Sequence, residues 1–178
     1  MIRLPLPGAA GLEAAKSAFS EQEVTAELLA AGETASLPAS RVLAFARGDM
    51  RDAAAIRRVL LANPALRRLV RRMAESGSAY VMPEAIAASS TEFPTRRTEG
   101  CTVKVIASHA GTGAYYLVIE LADPDKPAPK LLMLCDPEDR LEQIALPAPI
   151  SGVIQVGIDE ASDIPALLRN PKTAIFLR

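Results

Sequence analysis

The chain has no tryptophan, four phenylalanines, three tyrosines, one histidine and two cysteines in 178 residues, and each scarcity weighs against a class of function. So few rings leave no platform on which successive bases could stack, which argues against aromatic capture of single-stranded nucleic acid. With His109 as the single histidine and Cys101 and Cys135 far apart, the usual four nitrogen and sulfur ligands of zinc cannot be assembled from this chain. Neither cysteine belongs to a CxxC pair, so two half-buried thiols in a reducing compartment are expected, although the spacing leaves a bridge open. No segment approaches the roughly 20 apolar residues of a membrane span. The opening "MIRLPLPGAAGLEAAKSAF" is broken by Pro5, Pro7 and Gly8 and makes a poor signal peptide, so a cytoplasmic, soluble chain with no membrane contact is expected.

Catalytic patterns are equally scarce. His109 follows Ser108, and adjacent side chains on a strand point to opposite faces, which is poor geometry for a nucleophile and its base. Gly111 and Gly113 lie in a hairpin loop with no GK[ST] after them, unlike a phosphate loop. Asp136, Glu138 and Asp139 lack the glycine and distal glutamate of a calcium loop. Asp159 and Glu160 read as solvated surface. No catalytic residue, metal site or cofactor is expected, and the chain reads as a binding protein, not an enzyme.

What the chain has in quantity is apolar aliphatic sequence and charge. Hydrophobic residues make up 49% and charged residues 23%, enough to exclude disorder and to fill a core with Ala, Leu, Val and Ile. The net charge of −1 hides a strong asymmetry. Residues 41–72 hold nine arginines against Asp49 and Asp52, a balance of plus seven. Residues 120–163 hold ten acids against Lys126, Lys130 and Arg140, a balance of minus seven.

Hydrophobic spacing divides the chain. Val24, Leu28 and Leu29 fit a helix over 21–31 that ends before Gly32. Val42, Leu43, Phe45 and Ala46 fit a second helix stopping at Gly48, with Asp49 to Asp52 turning the chain and capping the next. A third follows over 53–62, with Ile56, Val59 and Leu60 on one face. Asn63-Pro64 opens a fourth, Asn as N-cap and Pro at the first helical position. Its Leu66, Leu69, Val70 and Met73 form one apolar stripe, flanked by rows Arg67/Arg71 and Arg68/Arg72 four residues apart. Like charges at that spacing cost about 0.2–0.5 kcal/mol each, which folding alone does not require. Residues 77–100 read as a connector with one helical turn after Pro83.

Beyond residue 100 the period changes from that of a helix to that of strands. "CTVKVIAS" and "AYYLVIEL" alternate as an antiparallel hairpin joined by "HAGTGA", and "KLLMLCD", "DRLEQIAL" and "GVIQVGID" add three more strands. "IPALLRNP" fits a helical turn, and "TAIFL" a final strand with Ile175 or Phe176 sealing the sheet edge. The expected fold is α+β: a small N-terminal helical bundle (1–76), a linker (77–100), and a mostly antiparallel β-sandwich or barrel-like domain (101–178).

Leu37 to Glu75, "LPASRVLAFARGDMRDAAAIRRVLLANPALRRLVRRMAE", resembles the N-terminal helical domain of bacterial anti-sigma factors that hold extracytoplasmic-function sigma factors. Leu43-Ala44-Phe45, Gly48, the Ala-rich run from Ala53 to Leu61, and Asn63-Pro64 stand in the family's places. The His-x-x-x-Cys-x-x-Cys zinc motif is missing, so the resemblance is to the zinc-free branch. The membrane span that many members carry after this domain is missing too, and 77–100 replaces it. The resemblance implies a transcription regulator whose helices grip a sigma factor while the β part reads a signal or another protein.

Three readings follow. In the first, Leu66, Leu69 and Met73 bury against a protein partner beside Arg57, Arg58, Arg67, Arg68, Arg71 and Arg72. The alternative is a nucleic-acid-binding helical unit fused to a β ligand-binding or assembly module; its weakness is that the helix offers Arg, Leu and Ala where base reading needs Asn, Gln or Ser. The third docks the basic helices on the chain's own acidic half as scaffold and predicts tight packing between Arg67 to Arg72 and the turn from Asp136 to Glu142.

Overall fold

The computed structural model describes residues 38–82, 92–108, 114–123 and 126–178, together with Gln22, Glu23, Ala26 and Ala85. Of the helix expected over 21–31, only those first three are described, and they are helical. Three helices follow: α1 (Ala39–Ala46), α2 (Ala53–Ala62) and α3 (Pro64–Ser76). Gly48 ends the α1 turn at φ 98°, a left-handed conformation that an L side chain resists, and a Cβ there would stand 3.2 Å from Leu131 Cδ2. Asn63 caps α3 as expected, its side chain accepting from the Leu66 amide at 3.1 Å with Pro64 in the first turn. Asp52 precedes α2 but makes no side-chain capping bond; its carboxylate meets Arg41 at 3.2 Å.

Among the described residues, eight strands form two four-stranded sheets, all antiparallel. The strands are β1 (Tyr80–Met82), β2 (Arg96–Thr98), β3 (Cys101–Ala107), β4 (Ala114–Leu121), β5 (Leu131–Cys135), β6 (Leu141–Ala145), β7 (Val153–Asp159) and β8 (Ala174–Leu177), with the short α4 (Ile164–Arg169) between the last two. The first sheet runs β1-β8-β5-β6 and the second β2-β3-β4-β7. All the strands and the helical turn expected after residue 100 are present.

The architecture has three layers, and β5 shows why. Leu132 and Leu134 face the second sheet in a core with Leu117, Ile119, Ile154 and Leu177. Leu131, Met133 and Cys135, the alternate residues, face the helices in a separate core with Phe45, Ile56, Leu69, Val70, Met73 and Phe176. Strand alternation therefore delivers both sets from five residues, every one of them buried. An α+β fold is present. A closed barrel is not: each sheet keeps its own strand order, with edges at β1 and β6 and at β2 and β7.

Two expectations change. Residues 77–100 contain β1, paired with β8, and β2, paired with β3. Three-residue strands, one of them "RRT", are too short to display a period. Because β1 covers its outer side, β8 is internal and Ile175 and Phe176 do not seal an edge. The helical turn after Pro83 and the loop bearing His109, Gly111 and Gly113 lie outside the described residues.

Candidate partner-binding face on the helical layer

The apolar stripe of α3 is internal. Leu66, Leu69 and Met73 are 4%, 3% and 0% exposed and pack with the helix-facing residues of the first sheet. A helix needs only one buried face, and the sheet lies on that side, so the stripe serves the core and is not available to a partner, contrary to the expectation from the sequence.

The six arginines separate into two groups. Three are engaged within the chain. Arg57 Nη2 meets Glu142 Oε2 at 2.8 Å, and Arg71 Nη1 meets Asp139 Oδ1 at 2.9 Å. Arg67 Nη1 donates to the carbonyls of Leu60 at 2.9 Å and Leu61 at 2.7 Å, placing a cation on the C-terminal turn of α2, where the helix dipole favours it. Of residues 67–72, Arg71 meets the 136–142 turn, at Asp139, while Arg67 bonds to α2 and Arg68 and Arg72 stay exposed, so the segment touches the turn at one ion pair and is not packed tightly on it. Arg58 and Arg68 are exposed and make no ion pair among the described residues; Arg72 is exposed as well. Arg68, Arg71 and Arg72 line an open groove of about 500 Å3 together with Ala65, Glu75 and Asp139. A smaller cleft of about 230 Å3 lies between α2 and β6, where Arg57, Leu61 and Arg67 face Leu141, Glu142 and Asp163.

The acidic turn that receives the arginines is itself ordered by hydrogen bonds. Asp136, 2% exposed, accepts from the Arg140 amide at 2.7 Å and from its guanidinium. Asp139 sits at φ 60°, a left-handed conformation that Asp tolerates better than most residues. Its bond to Arg71 raises the Arg71 pKa above the ordinary value. Burial raises the Glu142 carboxyl, and the nearby Arg57 only partly opposes this, so that pair offsets a desolvation cost more than it adds stability.

Other candidate chemistry is inactive in this arrangement. Both cysteines are free and buried, and burial pushes Cys101 up to about 11 and Cys135 to about 12, keeping them protonated. The Asp159 carboxylate accepts from the Ala161 amide at 3.0 Å and closes a turn. Among the described residues no group of three or more His, Cys, Asp or Glu side chains could hold a metal ion, and no helix is long and apolar enough to cross a membrane. Charge patterning pointed to the Arg71 contact with the acidic turn, but not to the pairing of Arg57 with Glu142 or the bond from Gln143 Nε2 to the Phe45 carbonyl at 2.9 Å. Those contacts come from residues remote in sequence, and no local signal marks them. Compared with known protein families, curated proteins and solved structures, the chain matches none.

Proposed function

We propose that this chain is a cytoplasmic, non-catalytic regulator that binds an acidic surface of a protein partner through the exposed arginines of α2 and α3, in the manner of an anti-sigma factor. One observation carries the reading. After the chain's own carboxylates have engaged Arg57 and Arg71, Arg58 and Arg68 stand exposed and make no ion pair among the described residues. Fold stability does not account for that residue of positive charge, and a complementary surface does. The reading is also supported by the order of α1, Gly48, α2, Asn63-Pro64 and α3, which follows the resemblance over Leu37 to Glu75.

In this mechanism the first sheet acts as a rigid bed for the helices. Arg58 and Arg68 are then presented from fixed helices, so no backbone has to be ordered on pairing. Binding is steered electrostatically and weakens as salt rises. The test is co-elution and calorimetry of the purified chain with an extracytoplasmic-function sigma factor encoded beside it, with Arg58→Glu/Arg68→Glu as the contrast. A complex that weakens by about tenfold or more in the double variant supports the proposal. Retention of duplex DNA, lost steeply with salt and without any protein partner, would replace it with the nucleic-acid reading.

A further inference from the structure

A second surface is built into the opposite side of the molecule. Among the described residues, the first sheet is covered on both faces, and no helix or strand lies on the outer face of the second. Along β3, β4 and β7 the inward residues fill the core, and the outward ones stand in cross-strand rows. Thr102, Glu120 and Val153 form one row, with Arg97 beside Thr102. Lys104, Val118 and Gln155 form the next, and Ile106, Tyr116 and Gly157 the third. Asp159 stands beside Ala114 beyond them. Ile106 is 46% exposed and Tyr116 and Val153 are each 38% exposed, and Ile106 and Tyr116 are cross-strand neighbours that form one apolar patch. Gly157 adds flatness: a Cβ there would meet nothing within 4 Å.

We propose that this face binds a second copy of the chain, sheet against sheet, about a two-fold axis lying between them. The charges argue for self-recognition. Lys104 and Glu120 pair with each other, so the centre of the face is neutral. The remaining exposed charges, Arg97 and Asp159, lie at diagonally opposite corners. A two-fold axis running along the diagonal that joins them would set Arg97 against its own copy and Asp159 against its own copy. An axis along the strands or straight across them leaves both without an opposite charge. An axis on the other diagonal places Arg97 opposite Asp159 of the second copy, twice. That same rotation brings Lys104 over the Tyr116 ring of the second copy, a cation–π position, and sets Ile106 on the axis against itself, beside Val118, which is 7% exposed. The two sheets then cross near a right angle, one of the two ordinary ways for sheets to pack.

Sedimentation velocity on the full chain, up to about 200 µM, tests this in a range that detects even a weak dimer. The expected result is a concentration-dependent dimer. Ile106→Lys, which places two ammonium groups together on the axis, weakens it by about tenfold or more while leaving the far-UV circular dichroism unchanged. Arg97→Glu weakens it less, and Arg97→Glu combined with Asp159→Lys restores it. A wild-type chain that stays monomeric throughout overturns the proposal, as does a dimer indifferent to Ile106→Lys. A charge swap that fails to restore association also overturns it, because the two-fold orientation is part of the claim.

Discussion

The two sheets are alike in strand number and pairing but opposite in environment. In the first, β5 reads "LLMLC" with every residue buried, because helices lie on one side and the second sheet on the other. In the second, β7 reads "VIQVGID" with burial alternating along most of its length, because among the described residues only one side has a packed neighbour. The unbroken apolar run and the alternating one record how many layers each sheet touches. The two proposed contact surfaces both lie where a layer of the described structure ends: on the arginines outside the helices and on the outer face of the second sheet.

The comparison is broken most severely by emptying the doubly covered sheet. Phe176→Ala, on β8 under the helices, is expected to cost about 3–5 kcal/mol in chemical denaturation, whereas Ile106→Ala on the open face stays within about 0.5 kcal/mol under monomer conditions. Similar losses from both variants would sink the three-layer account. Alkaline pH comes next, through one thiol in each core. The unfolded thiols ionise from about pH 9, while the folded ones stay protonated to about 11 for Cys101 and about 12 for Cys135. The folded state binds the proton more tightly, so stability is fully present below pH 9 and is lost as pH rises toward those values. The slope is at most about 1.4 kcal/mol per pH unit for each thiol. Denaturation midpoints for Cys101→Ala/Cys135→Ala should fall less steeply over the same range.

Smaller effects sharpen the contrast between the bed and the face. Gln143→Ala removes the buried bond from β6 to the Phe45 carbonyl and is expected to cost about 1–2 kcal/mol. Arg57→Ala and Arg71→Ala each leave a carboxylate of the acidic turn without its cation. Both pairs are partly exposed and screened, so about 0.5–1 kcal/mol is expected. Arg58→Ala and Arg68→Ala should leave thermal stability unchanged within about 0.5 kcal/mol, and a larger loss would mean that these side chains serve the fold and not a partner.

The readable parts of this chain were those with a period or a terminal signal. Asn63-Pro64 marks the start of α3 because both its residues act locally, and β3 to β8 show through runs of four or more residues. β1 and β2 did not show, since three residues cannot establish a pattern and 77–100 read as a connector. Arg96 is in fact 3% exposed, its guanidinium donating to the Asn170 carbonyl at 2.9 Å. Of the candidate site, the arginines were legible as a cluster. Their division into engaged and exposed members was not, because it depends on where Asp139 and Glu142 arrive.

By itself, then, the sequence determined the local elements, the charge asymmetry and the absence of a recognised catalytic pattern, all of which follow from residue type and spacing. Only the tertiary structure decided that the stripe of α3 is core, that β8 is internal, and which surfaces remain open. An amphipathic helix specifies that one face must be buried but not against what. Packing on the first sheet answered that, leaving the arginines outside and the second sheet with one face uncovered.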